Sequence, residues 1–321
     1  MSRLTIGIFG GTGFIGTRLC SRFAADGHDL RVPSRYREGG RHLLVLPSLQ
    51  LIQADTHDPE ALPALVEGCD VVINLVGILN ERGRRGDGFR AAHTTFTRNV
   101  VRACRQAGVP RLLQMSALKA NAQRGPSHYL RTKGEAEQVI RDEAGDALAW
   151  TIFQPSVVFG PEDSFVNRFA GLLRWLPVLP LARPEARFAP VFVEDVVEAF
   201  VRSLRDPATH GRTYQLCGPE QYTLREIVTF IAATVQRRRL VIGLPDGLSR
   251  LQAAVMDFVP GKPFSTDNYL SLTVASTCTE DGLEALGIAP RSMQVVVPSY
   301  LASQDRRAYL SILRKGAGRR P

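Results

Sequence analysis

Three glycines and a Tyr–Lys pair stand at spacings that could do chemistry. Gly10, Gly13 and Gly16 fall in the run GGTGFIG, between the apolar stretch Leu4 to Phe9 and a helical pattern from Gly13 to Ala25 that Gly27 closes. In such a strand-to-helix crossing the first glycine permits a tight turn, the second lets the backbone approach a diphosphate, and the third lets the helix pack on the strand. The helix mouth then offers unpaired N–H groups and a partial positive charge to the phosphates. Tyr129 and Lys133 lie four residues apart on a second helical pattern, so both side chains share one face. An ammonium beside a phenol favours the phenolate and draws the tyrosine pKa down from about 10, which suits proton transfer.

The elements that must position these residues alternate strand and helix with short connections, the signature of a parallel sheet covered on both faces. Leu4 to Phe9, Leu30 to Pro33, Leu49 to Ala54, Asp70 to Leu75, Arg111 to Met115 and Ala149 to Phe153 read as six strands. Helices are predicted over Pro59 to Glu67, over Phe89 to Ala107 with Gly108 as its stop, and over Tyr129 to Glu143. The fold class is α/β, a doubly wound parallel sheet with a smaller C-terminal lobe. Residues 1–155, with a returning helix at about 189–205, form the dinucleotide-binding domain. The Pro-rich stretch 156–188 and residues 206–301, including Thr213 to Gly218 and a helix from Leu224 to Val235, form a lobe facing a substrate or partner. Residues 302–321 are a basic tail.

The loop's candidate dinucleotide contacts are Gly10, Thr12, Gly13, Phe14, Ile15 and Gly16. Cofactor choice falls to the end of the second strand, where an Asp or Glu accepts the ribose 2′-hydroxyl in NAD sites. Here the chain reads Ser34-Arg35, with Arg37 following, and Asp29 sits too far back at the strand's start. An arginine fork matches a 2′-phosphate, so Ser34 and Arg35 favour NADP(H) over NAD(H). Asp55 and Thr56, at the end of the third strand, are placed near the adenine. Asn74, Val76 and Gly77, at the end of the fourth, are placed along the cofactor. Alternatively, Asp55 caps its own turn and Asn74 satisfies backbone groups at a strand end.

Taken in order, Gly10-x-x-Gly13-x-x-Gly16, Asn74-Leu-Val-Gly77, Tyr129-x-x-x-Lys133 and Pro155-Ser-Val-Val-Phe-Gly160-Pro161 resemble the extended and atypical short-chain dehydrogenases/reductases, which are of Rossmann type. Leu113-Gln-Met-Ser116-Ala117, Phe159-Gly-Pro-Glu-Asp163-Ser-Phe165 and Pro190-Val-Phe-Val-Glu-Asp195-Val are similar to one branch, the nucleotide-binding accessory subunits of respiratory complex I and their bacterial relatives. The resemblance implies that Tyr129 exchanges a proton with a substrate oxygen, that Lys133 also holds the ribose hydroxyls, and that Pro155 and Val158 line the cofactor. It implies a serine just after the fifth strand, which either Ser116 fills or Ala117 erases. His93 stands where the superfamily carries asparagine, and Gln154 where an arginine is expected.

The 22% charged and 44% hydrophobic composition is that of a globular protein. Five cysteines without CxxC spacing fit a reduced cytosolic compartment, and no secretory leader precedes the first strand. The apolar stretch Phe169 to Ala182, interrupted by Arg174, Pro177 and Pro180, is too short to span a bilayer. Six histidines without ligand spacing argue against a metal site, and the lack of basic–aromatic interleaving argues against nucleic acid. The net charge of +9 gathers in Arg237-Arg238-Arg239 and in the tail, as a solvated face and a chain terminus or as a contact for an acidic partner or membrane surface. Two roles follow. In the first, NADP(H) is a structural or sensing ligand in a protein serving a membrane respiratory or quinone-related complex, through the basic tail or apolar lobe, peripheral to the inner membrane. In the second, Tyr129 and Lys133 drive an oxidoreductase, epimerase or dehydratase acting on an apolar carbonyl or alcohol of quinone, steroid or sugar-nucleotide type.

Overall fold

The computed structural model describes residues 3–237, 239–260 and 262–304, the side chains of 302–304 excepted. The basic tail expected beyond 304, and Arg238, lie outside the described residues. The chain forms two units. The first comprises Met1–Pro155, Val196–Leu216 and Thr279–Ile288, and the second Ser156–Asp195, Cys217–Cys278 and Ala289–Pro321.

In the first unit β1 (Thr5–Phe9), β2 (Asp29–Ser34), β3 (Leu49–Gln53), β4 (Val71–Asn74), β5 (Arg111–Met115) and β6 (Ala149–Pro155) run parallel, with a seventh strand at Arg212–Leu216. The sheet order is Arg212–Leu216, β6, β5, β4, β1, β2, β3. From β1 the chain winds outward through β2 and β3, then returns to place β4 on β1's other side. The carboxyl ends of β1 and β4 therefore flank the crevice where such sheets bind ligands.

The seventh strand corrects the expectation that Thr213 to Gly218 belongs to the smaller lobe. Its residues pair in register with β6, from Arg212 opposite Thr151 to Leu216 opposite Pro155. As the sheet edge it is half-buried and carries polar residues, which hid it among loop-like sequence. Thr279 returns beside it, its N–H donating to Gln215 Oε1 at 2.8 Å.

Alternating side chains divide the core. Phe9 and Val72 point to the face covered by α2 (Leu62–Val66), α4 (Phe96–Gln106) and α5 (His128–Glu143), where they meet Leu62, Phe96, Val100 and Ile140. Ile6 and Ile8, one pleat step away, fill the other face and are fully buried. That face also receives α1 (Phe14–Ala25) and residues 196–203 of α7 (Val193–Ser203). Phe200 packs on Phe153 at 4.2 Å, and Arg22 of α1 pairs with Glu198 of α7 at 2.8 Å. Each fully buried large side chain contributes about 1.5–3 kcal/mol.

The helix expected over Phe89 to Ala107 is not continuous α-helix. A short α3 (Asp87–Arg90) passes into a π-helical turn at Ala91–Thr95 before α4 begins. Such turns concentrate at functional sites.

The second unit is built from short strands and helices. Val178–Leu181 pairs in parallel with Leu240–Gly243, and Arg187–Phe188 pairs with Tyr222–Thr223. Its helices include α6 (Val166–Trp175), α8 (Leu224–Thr234) and α9 (Asp246–Met256). The branch motif residues are structural here. Asp163 accepts backbone N–H bonds from Gly160, Phe165 and Val166, and Asp195 receives the backbone N–H and Nε of Arg291. Cys217 and Cys278 form a disulfide, which departs from the reduced compartment expected from the cysteine spacing. Cys20, Cys69 and Cys104 are free and buried. Burial pushes the Cys20 thiol up to about 12, so it is inert as a nucleophile.

Candidate functional site

The glycine loop leaves β1 at Gly10, whose φ of 79° lies in the left-handed region that favours glycine. A Cβ on Gly10 would press on Leu75 and Val76, the turn that leaves β4. At Gly16 a Cβ would fall 2.3 Å from the Gly10 carbonyl oxygen, so only glycine lets α1 start this close to the strand. Gly13 is the N-cap of α1, and no side chain caps the helix. A Cβ on Gly13 would meet only the Gly10 oxygen, at 3.3 Å. The loop is therefore shut toward the protein and open in front of the first-turn N–H groups of Phe14, Ile15 and Gly16, which a helix leaves without intrahelical partners. That is the cradle a diphosphate needs, and Thr12 sits at its rim.

At the ends of β2 and β3, Ser34 donates its hydroxyl to the Tyr36 carbonyl at 3.0 Å and so fixes the turn. Arg35 is exposed, with Nη1 3.3 Å from His57 Nε2, and among the described residues it pairs with no carboxylate. Asp29 is engaged by Arg3 at the far end of its strand. Asp55 is exposed and accepts the His57 N–H at 2.9 Å, capping its own turn; Thr56 beside it is half-buried. Ser34, Arg35, Asp55 and His57 thus share one rim.

Asn74 requires a correction. It is 1% exposed, donates to Gln114 Oε1 at 2.9 Å and Thr97 Oγ1 at 3.3 Å, and accepts the Val76 N–H at 3.1 Å. Its amide is consumed inside the sheet, so it shapes the Val76–Gly77 turn instead of meeting a ligand. Gly77 is exposed, and a Cβ there would come within 3.0 Å of Lys133 Nζ. Lys133 is 3% exposed and donates to the carbonyls of Val76 at 3.3 Å and Met115 at 3.2 Å, bridging the ends of β4 and β5. Burial lowers its pKa to about 8, against an opposing pull from Glu137.

Tyr129 lies four residues before Lys133 on α5. Its half-buried ring stands edge-on to His93, 5.5 Å between centroids, and to Phe89 at 6.3 Å. His93, in the π-helical turn, accepts the Ile78 N–H on Nε2 at 3.1 Å. Its Nδ1 lies 2.9 Å from Thr132 Oγ1, and that hydroxyl donates onward to the His128 carbonyl at 2.8 Å. The proton of the imidazole is thereby placed on Nδ1. Burial, then the Lys133 charge, lower its pKa to about 2, so the ring is neutral throughout the working range.

Ser116 is buried and donates its hydroxyl to Glu137 Oε1 at 2.5 Å. Glu137 also receives Gln154 Nε2 at 2.7 Å and Arg141 Nη2 at 2.9 Å. Gln154, which takes the place of an expected arginine, is thus half of the clamp that holds this carboxylate. Pro155 is buried at the end of β6 in the first unit, whereas Val158 belongs to a two-residue strand of the second. Thr132, Gln114 and Glu137 were not singled out from sequence; for Thr132 adjacency to Lys133 was the available signal, and the other two act through partners distant in the chain.

A glycine cradle at a switch point, with a Tyr–Lys pair on the helix after β5, defines a dinucleotide-binding protein of the short-chain dehydrogenase/reductase type. The family model for the NAD dependent epimerase/dehydratase family matches residues 6–217, and the chain belongs to that family. A nicotinamide dinucleotide is accordingly the ligand class of the glycine loop. Relatives include NADH dehydrogenase (ubiquinone) 1 alpha subcomplex subunit 9 of Mus musculus mitochondria, 29% identical over 90% of this chain and 77% of that protein. The Arabidopsis thaliana protein of that name is also 29% identical, over 88% and 71%. Ceramide reductase of Caulobacter vibrioides is 29% identical over 76% and 75%. Among solved structures, the UDP-glucose 4-epimerase of Thermus thermophilus in complex with NAD superposes with a TM-score of 0.72 at 20% identity, covering 93% of this chain and 99% of that one. That likeness shows the fold. Among the described residues, no helix is long and apolar enough to cross a membrane.

Proposed function

We propose that this protein holds NADP(H) as a structural or sensing ligand and serves a membrane respiratory or quinone-related complex, as its relatives named as subunits of NADH dehydrogenase (ubiquinone) suggest. The observation that carries this reading is the state of the proton-bearing groups around the Tyr129–Lys133 pair. The Ser116 proton is committed to Glu137, and His93 is neutral with both nitrogens engaged. A relay through either needs a hydroxyl proton to give the substrate oxygen or a ring that titrates; the Ser116 proton is already given to Glu137 and the His93 ring stays neutral, while the glycine cradle is built. The exposed Arg35 guanidinium, with Asp29 tied to Arg3, supports a 2′-phosphate over a free ribose hydroxyl. Gly10, Thr12, Gly13, Phe14, Ile15 and Gly16 would hold the diphosphate, and Lys133 and Gly77 would adjoin the nicotinamide ribose. The ligand supplies charge and packing to the sheet's open end. Association at the inner membrane, in the compartment where that complex lies, belongs to this reading.

Native mass spectrometry of the protein purified from its host tests both parts at once, with a retained NADP(H) and a respiratory partner as the expected result. A second reading, oxidoreductase, epimerase or dehydratase chemistry on an apolar carbonyl or alcohol, is favoured by one observation: Lys133, at about 8, lies close enough to working pH to assist Tyr129. NADPH turnover on a carbonyl panel that Tyr129→Phe abolishes would establish that reading and overturn the first.

A further inference from the structure

Sixteen large hydrophobic side chains are exposed among the described residues, and eleven of them fall in just two segments of the second unit, 172–178 and 240–259. The paired strands Val178–Leu181 and Leu240–Gly243 alternate buried and exposed. Register sets Leu240 opposite Val178 and Ile242 opposite Pro180, so one face of the ribbon is an open apolar strip. Helix α9 is tied to it, since Gln252 Nε2 donates to the Pro180 carbonyl at 3.2 Å and Ser249 bonds Arg183 and Leu244. With Ser249 and Ala253 buried, α9 turns Leu248, Leu251 and Val255 outward, at the i, i+3, i+7 spacing of a single stripe. Trp175, at the end of α6, is 86% exposed.

The charge around this surface is predominantly positive. Residues 168–184 and 236–262 hold eight arginines and lysines against two aspartates, in a chain whose net charge is +9. Arg239 donates to the Leu173 and Arg174 carbonyls beside Trp175, and Arg237 is exposed just ahead of the Leu240 strand. An apolar stripe with a tryptophan and arginines at its rim is the pattern of a surface that lies in the headgroup layer of a bilayer. There an exposed arginine head such as that of Arg237 reaches the phosphates while its stem stays on apolar surface. We infer that this face of the second unit binds an anionic phospholipid membrane, in the plane of its surface. The inference rests on that unit's surface alone and not on what the glycine loop holds.

Flotation of the full chain with phosphatidylcholine vesicles, with and without phosphatidylglycerol, tests it. The reporter is Trp175 emission in a Trp150→Phe background, which leaves one indole of two. Binding to the anionic vesicles alone, with a blue shift of Trp175 and its quenching by brominated lipid, is the expected result. Arg237→Glu should weaken binding about thirtyfold, and Leu251→Ser with Val255→Ser at least about tenfold. An unchanged melting temperature and NADPH titration would show these variants to be folded. Vesicle binding that leaves Trp175 emission unmoved would assign the interaction to the tail and overturn the inference. So would absence of binding with the face instead covered by a protein partner or a second copy.

Discussion

The glycine loop and the Tyr129 corner stand at the carboxyl ends of neighbouring strands of one sheet, yet they are built in opposite ways. Around Gly10, Gly13 and Gly16 the side chains have been removed, and what remains is open backbone at an uncapped helix mouth. Around the Tyr129–Lys133 pair the polar side chains are plentiful and engaged: Ser116 with Glu137, His93 with Ile78 and Thr132, Lys133 with two carbonyls. The first region invites a ligand, and the second is locked by its own hydrogen bonds. One sheet can therefore end in open backbone at one strand and in a closed hydrogen-bonded network at another, which is how function comes to reside in a site and not in a fold.

The sharpest way to break this contrast is Gly13→Asp. Gly13 has φ −83° and ψ 178°, which any residue adopts, so an aspartate would cap α1 itself. The apo protein should stay within a few tenths of ~1 kcal/mol of its present stability. Dinucleotide affinity should fall more than about a hundredfold, because like charges meet at several kcal/mol. Calorimetric titration beside a melting curve measures both, and undiminished affinity would remove the diphosphate from this helix.

Arg35→Ala should weaken NADPH about ten- to a hundredfold and leave NADH unchanged; equal losses for both would return Arg35 to the ordinary surface. Lys133→Met should cost about tenfold in affinity. In the native protein, affinity should also decline as pH rises through about 8, where Lys133 gives up its charge, and the Met variant should show no such decline. The remaining prediction concerns acid stability. His93 takes no proton in the folded state above about 2, whereas the unfolded chain takes one below about 6.5. Its contribution is whole above about 6.5 and is lost by about 1.4 kcal/mol per unit as pH falls below that. Denaturant midpoints at pH 7 and 5 should therefore differ less in His93→Asn than in the native chain.

Much of this architecture was legible because it is local. The buried strands, the glycine spacing and the Tyr129–Lys133 face follow from residues adjacent in the chain or one helical turn apart. What escaped depends on distant partners. Asn74 reads as a crevice residue until Gln114 and Thr97 claim its amide. Whether Ser116 is available is decided by Glu137 and Gln154. Cys217 and Cys278 are 61 residues apart, and no spacing rule joins them. The edge strand Arg212–Leu216 lacks an apolar run because one of its sides has no neighbouring strand.

The wide turn at Ala91–Thr95 carries a last consequence. A π-helical turn amounts to one residue more than the regular repeat, and each residue rotates a helix by about 100°. Deleting a single residue there would heal the helix into an unbroken rod and swing the preceding segment through that angle. Imidazole and Ile78 amide would part, and the loop beside the lysine would lose its peg. The irregularity sets the angular phase between two stretches of one rod, and the geometry of the pocket wall depends on it.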